Sequence, residues 1–295
     1  MKRKLVKQGA STMMISLPSK WIKKNKLEKG DEVELEELNR KLVITTESKK
    51  GSSEITVNLS SLTESAVRTI VTNVYRAGYN KIIINFNDKA ILKIIEDVIE
   101  NYLIGFEIIK KSQNSCIIEN ITEPSEDQFD NIFSKIIWSI NDLFEITEAM
   151  LKKEKRDFTK IEEKIKQFDN LCRRIISKKG IDEKLQLQLA FHSELIHAQR
   201  EIYHLLRYLG KNPVKTGKEE LELLEECKQI FETLKQAYNR KDISLLEKIH
   251  GTEKEIIYKK GYNSFKKANP IIVHHLLSTA RGLYLATSPL VVLFL

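Results

Sequence analysis

The chain has 295 residues, 41% of them apolar and 31% charged, and a formal net charge of +8. That length allows two or three domains with buried cores. Eleven Gly and five Pro are too few for long disordered or collagen-like tracts. Cys116, Cys172 and Cys227 stand more than fifty residues apart, which excludes a Cys-x-x-Cys zinc knuckle or redox pair and suits a reducing, cytoplasmic setting. The N-terminus is charged and has no continuous apolar core, so it does not read as a secretory signal. At the other end, Gly282 to Leu295 is uncharged over fourteen residues, short of the ~20 that a membrane span needs. A buried terminal helix without stable membrane insertion is expected there.

The charge is unevenly placed. Residues 1–50 hold 13 basic and 7 acidic side chains, and Met1 to Leu27 holds eight basic and no acidic ones. Such asymmetry favours a polyanion as partner of this head alone. Leu5 and Val6 begin a short extended segment that meets Gly9. Met13, Ile15 and Leu17 then alternate with Met14 and Ser16, as in a half-buried strand that Pro18 ends. Ser19 is placed to cap a short helix, SKWIKKNKL. Gly30-Asp31 makes a turn, Val33, Leu35 and Glu37 alternate along a strand, Asn39-Arg40 turns, and KLVITTE returns. These elements hold too little apolar mass for a stable monomer. A homodimer through residues 1–50 is therefore expected.

The run Val6-Lys7-Gln8-Gly9, Met14-Ile15-Ser16-Leu17-Pro18, Trp21, Leu27-Glu28-Lys29-Gly30-Asp31-Glu32-Val33 resembles the SpoVT/AbrB family of DNA-binding domains. The spacing from Pro18 to Gly30-Asp31 is its discriminating part. The resemblance implies a swapped-hairpin β-barrel shared by two chains, with double-stranded DNA as partner. It makes Arg3, Lys4 and Lys7 the foremost DNA-binding residues. Lys20, Lys23 and Lys24 become neighbouring phosphate contacts, and Ser11 and Thr12 add hydrogen bonds from the loop. Lysine contacts gain affinity by releasing counterions. Only arginine forks to guanine, and here it is Arg3 among lysines, so backbone contact is expected to exceed base reading.

Residues 51–123 follow a Gly51-Ser52-Ser53 linker. Ile55, Val57 and Leu59 alternate as a strand. A helix runs from Leu62 to Ala77, with Gly78 stopping it. KIIINF is an apolar strand, Asp88 caps a second helix through Leu103, and GFEIIKK and SCIIENI close the set. The order β-α-β-α-β-β predicts a small α/β connector domain with helices on one face. No glycine-rich phosphate loop follows any of its strands.

From Pro124 the strand signals cease. Breakers divide residues 124–295 into helical segments 125–154, 158–179, 182–210, 216–240, 242–267 and 270–295. Segments one to three and four to six suggest a C-terminal all-α pair of three-helix bundles. The fold class is thus multidomain α+β.

Tandem bundles of this size resemble PhoU, the phosphate-uptake regulatory protein. Ile161 to Ile175 is similar to its second helix, Glu194-Leu195-Ile196-His197-Ala198-Gln199-Arg200-Glu201-Ile202 to its third, and Ala280-Arg281-Gly282-Leu283 to the matching place in its second bundle. The family pairs acids at i and i+4, which puts two carboxylates on one helix face for metal clusters. Here Asp169 and Glu194 remain as remnants. Their partner positions hold Ile165 and Ala198, and the second bundle offers only Tyr284 and Ser288. No bound metal or other cofactor is therefore expected.

Glu194-x-x-His197 and Glu201-x-x-His204 repeat on one face of the third segment. Glu-x-x-His suits a di-iron site only when two helices supply such pairs and two more supply acids. His274-His275 reads as a feature of a helix start. No constellation orients a nucleophile, so catalysis is not expected. The expected protein is a cytoplasmic DNA-binding transcriptional regulator. The PhoU resemblance implies phosphate uptake or metabolism as its field, the helical body as its signal receiver, and phosphate-transporter components as partners. The alternatives are a protein–protein adaptor whose head only dimerises, and a metal-binding enzyme on the bundle.

Overall fold

A computed structural model of the chain describes residues 2–9, 11–38, 41–46, 54–60, 63–122, 124, 128–179 and 183–295. They form two compact units, Met1–Ser52 and Ser53–Leu295. Asn39-Arg40, Gly51-Ser53, Leu62, Gly180 and Asp182, which enter the expected turns, linker and boundaries, lie outside the described residues.

The first unit consists of two hairpins and a short helix. Strands β1 (Val6–Gln8) and β2 (Thr12–Met14) pair antiparallel, Val6 opposite Met14 and Lys7 opposite Met13. Gly9 turns between them at φ +73°, a left-handed conformation that glycine adopts without Cβ strain. β2 is shorter than expected: Ile15 to Pro18 lie beyond its ladder. Helix α1 (Ser19–Lys24) starts behind Pro18, whose carbonyl accepts from the Trp21 and Ile22 amides. Ser19 is thus the first helical residue rather than the cap, and the helix ends three residues before Leu27. The Asp31 carboxylate accepts from the Glu28 amide at 2.6 Å, which explains the acid after Gly30 as a turn lock. β3 (Val33–Leu38) and β4 (Lys41–Thr46) form the second hairpin, with Leu35 opposite Ile44 and Glu37 opposite Leu42. The two hairpins are separate two-stranded sheets, so the described residues of one chain close no barrel. No described side chain of this unit is buried, and Leu5, Met13, Leu35 and Leu42 are each more than half exposed.

The second unit begins with β5 (Glu54–Leu59), α2 (Glu64–Arg76), β6 (Lys81–Phe86), α3 (Lys89–Tyr102), β7 (Phe106–Lys111) and β8 (Ser115–Asn120). The sheet order is β5-β6-β8-β7, with β5 parallel to β6 and the other pairs antiparallel. β7 is bulged between Ile108 and Lys110. Thr63 and Asp88 cap the two helices by accepting from Ala66 and Ala90. The buried alternation Ile82, Ile84, Phe86 on β6 meets Val67, Val71 and Ile95 of α2 and α3 in one core.

The rest is helical: α4 (Phe129–Leu151), α5 (Thr159–Lys179), α6 (Glu183–Lys211), α7 (Lys218–Arg240), α8 (Ile243–Lys254), α9 (Tyr262–Lys267), α10 (Pro270–Leu285) and α11 (Thr287–Phe294). α4, α5 and α6 pack on one another, as α7, α8 and α10 do. α6 also packs extensively along α10, so one continuous apolar core runs through both sets. The expected single helix over 242–267 is interrupted by a π-helical turn, Glu255–Gly261. The buried stripe explains it: Leu246, Ile249, Glu253 and Ile256 follow a helical period, then Gly261 comes five residues on and Ser264 three more. A wider turn keeps that face on the core. The stretch Pro270–Phe294 is long and apolar enough to cross a membrane, with a mean hydropathy of 1.3. Ile272, Val273, Leu276, Ala280 and Leu283 of α10 are buried in the bundle core.

Candidate nucleic-acid interface and the buried charge network

Each residue expected to touch DNA is exposed and lies in the first unit. Arg3 and Lys4 precede β1, Lys7 sits in its middle, Ser11 follows the Gly9 turn and Thr12 opens β2. Lys20, Lys23 and Lys24 lie on α1 at spacings of three and four, which puts them on one helix face. The half-buried Trp21 and Ile22 hold the other side. On the first hairpin Lys7 is the cation opposite Met13. None of the six cations has an acidic partner among the described residues, so their charges face solvent. A surface of this kind neutralises phosphates without needing a pocket.

The positions noted as metal remnants serve differently. Asp169, on α5, is 3% exposed. Its carboxylate accepts from Arg76 Nη2 at 2.9 Å and from Arg173 Nε at 2.7 Å, and His192 Nε2 of α6 lies 2.7 Å away. Burial pushes this carboxyl up, but the His192 hydrogen bond and the Arg173 and Arg76 charges outweigh it and hold it at about 2. Burial pushes the His192 pKa down, so the ring is neutral and its Nε2–H donates to Asp169. Next to this set, Arg174 is fully buried. It donates to Tyr75 O, Tyr79 O and Asn80 Oδ1 at 2.9, 2.8 and 2.6 Å, and its guanidinium stacks over Tyr75 and Phe106. One arginine thus satisfies the carbonyls at the C-terminal end of α2 from α5. Arg76 and Asn170 add a second tie, with Asn170 Nδ2 donating to Tyr102 O. These contacts fix the sheet layer to the helical layer within the second unit. The pair Arg173-Arg174 inside the apolar LCRRII was the sequence signal for them, because cations inside a buried stripe need partners on another element.

Glu194 lies 3.7 Å from His197 Nδ1 and borders a groove of about 620 Å³ between α6, α10 and the π turn. Glu201-x-x-His204 lacked a second helix in the sequence; the fold supplies it, because His275 Nδ1 is 2.9 Å from Glu201 Oε2. His274-His275 is therefore more than a helix start. Contacts between α6 and α10 join segments seventy residues apart, which no local pattern encodes.

Compared with known proteins, residues 6–52 match the family described as antidote-toxin recognition MazE, bacterial antitoxin. The match supports an AbrB/MazE-type domain at the N-terminus, and such a domain fits a DNA-binding regulator. No curated protein and no solved structure matches the chain.

Proposed function

We propose that this protein is a cytoplasmic, non-enzymatic transcriptional regulator that binds double-stranded DNA as a homodimer through residues 1–50. The observation that carries this reading is the exposed, unpaired cation set Arg3, Lys4, Lys7, Lys20, Lys23 and Lys24 inside a segment that matches an AbrB/MazE-type family. The uncovered Leu35 and Leu42 support dimerisation, because a second copy would bury the stripe that one chain leaves open. A lone hairpin is marginal in water, and two copies supply four.

The helical body is the signal-receiving module in this proposal. Its likeness to PhoU in Ile161–Ile175 and Glu194–Ile202 supports phosphate uptake or metabolism as the regulated process, with phosphate-transporter components as partners. The same uncovered strands favour a second reading, an adaptor whose head only dimerises.

Fluorescence anisotropy on duplex DNA separates the two. With DNA binding, affinity falls by orders of magnitude from 50 to 200 mM salt, at a slope near −0.9 per phosphate neutralised. The triple variant Arg3→Ala, Lys4→Ala, Lys7→Ala binds more weakly and with a shallower slope. Affinity unchanged in that variant would sink the assignment of these residues, and absence of binding would favour the adaptor. Mapping of the genomic sites bound in cells tests the phosphate field: sites away from phosphate-uptake promoters would reject it and leave DNA binding intact.

A further inference from the structure

α6 carries Glu201 and His204 three residues apart, on one face. The first turns of α10 lie against that face. The helices approach closely because Gly282 has no side chain: a Cβ there would stand 3.0 Å from that of Ala198. One ligand atom each from Glu201, His274 and His275 fall within 4.8 Å of one another. Glu201 and His275 are half-buried and already joined at 2.9 Å, while His274 is exposed at the rim. The His204 ring centre is 6.2 Å from that of His275. Glu201 and His274 both border the groove of about 620 Å³, whose lining also includes Tyr258 and Gly261 of the π turn. Such turns recur at functional sites.

We propose that Glu201, His274 and His275 form a binding site for one divalent transition metal of the zinc class, with a coordination position open to the groove. Two imidazoles and one carboxylate suit zinc, cobalt or nickel, whereas magnesium and calcium prefer oxygen ligands throughout. Bonds of ~2.1 Å at tetrahedral angles separate ligand atoms by about 3.4 Å. The solvent-exposed His274 rotates inward to reach that spacing. The cation takes the place of the His275 Nδ1–Glu201 hydrogen bond: the neutral ring carries its one proton on Nε2, and Nδ1 turns its lone pair to the metal. Arg200 and Arg207 add positive charge beside His204, which places the ion on the His274 side and leaves His204 as a neighbour. Three protein ligands plus a free position is the arrangement of zinc sites that take a further ligand. The site stands whether or not the head binds DNA.

The test uses tag-free full-length protein stripped with chelator and titrated with Co²⁺. The expected result is visible d–d absorption that saturates at one Co²⁺ per chain and is displaced by Zn²⁺. His274→Ala and His275→Ala each weaken binding by about 10- to 100-fold, while His197→Ala, elsewhere in the groove, leaves it unchanged. Because His274 is exposed, its variant keeps the fold, and Zn²⁺ raises the Tm of the wild-type chain and not of His274→Ala. Absence of a Co²⁺ band and of a Zn²⁺-dependent Tm shift would overturn the proposal, leaving Glu201–His275 a hydrogen bond that ties two helices. Equal affinity in His274→Ala, or an equal Tm shift with Mg²⁺, would overturn it as well.

Discussion

At the scale of single residues, the second unit depends on charges it has buried. Asp169 balances two guanidinium groups and fixes the His192 ring. Asp169→Asn leaves Arg76 and Arg173 short of a counter-charge and is expected to cost about 3–5 kcal/mol in urea denaturation near neutral pH. The effect has a defined pH window. A carboxyl held at about 2 in the folded chain, against ~3.9 unfolded, contributes stability that is complete above pH ~4. That contribution is lost as pH falls towards 2. The gap between wild type and Asp169→Asn should therefore narrow by about 2–3 kcal/mol on acidification through that range, and a constant gap would assign the cost to geometry. Gly105 gives a sharper case. At φ +80° its Cβ would lie 1.7 Å from the Thr122 carbonyl oxygen, so Gly105→Ala must both strain and displace backbone. A loss of about 3 kcal/mol is expected from strain and crowding together, readable as a lower Tm.

Among elements, the contact of α5 with α2 and α3 joins sheet to bundle. Arg174 reaches three acceptors with one planar fork, which the single ammonium of lysine cannot match. Arg174→Lys is expected to speed amide exchange over residues 75–80 by about 10-fold, the equivalent of one lost hydrogen bond. The elements of this unit were legible because their signals are local. Asp88 and Gly78 mark the ends where they stand, and the β-α-β-α-β-β order follows from them. The segment expected over 125–154 contains α4, which starts four residues later and ends three earlier. The π turn was not legible, since a five-residue step in one buried stripe resembles an ordinary lapse in period. Nor was the pairing of Asp169 with Arg76, or of Glu201 with His275, because each joins residues more than seventy positions apart. The basic side chains of the head stood out in sequence as charge without acid, yet the shared face of Lys20, Lys23 and Lys24 needed the α1 boundaries.

For the whole molecule, the two units differ in what stabilises them. Residues 53–295 hold two large apolar cores, whereas the described residues of the head bury nothing. A fold stabilised by its partner melts at a temperature that depends on concentration. Calorimetry of the full chain should show a transition whose midpoint rises with protein concentration, and Leu35→Glu, which places a charge on the open stripe, should remove it. A melt independent of concentration would show that the head folds alone.

The bulge between Ile108 and Lys110 has a consequence for solubility. β7 is an edge strand of the four-stranded sheet, and among the described residues no strand pairs with its outer backbone. A flat edge of that kind templates the addition of strands from other molecules. Here the ladder is broken at Ile109, and Lys110 and Lys111 follow at once. Twist and like charge together make the edge a poor template for aggregation.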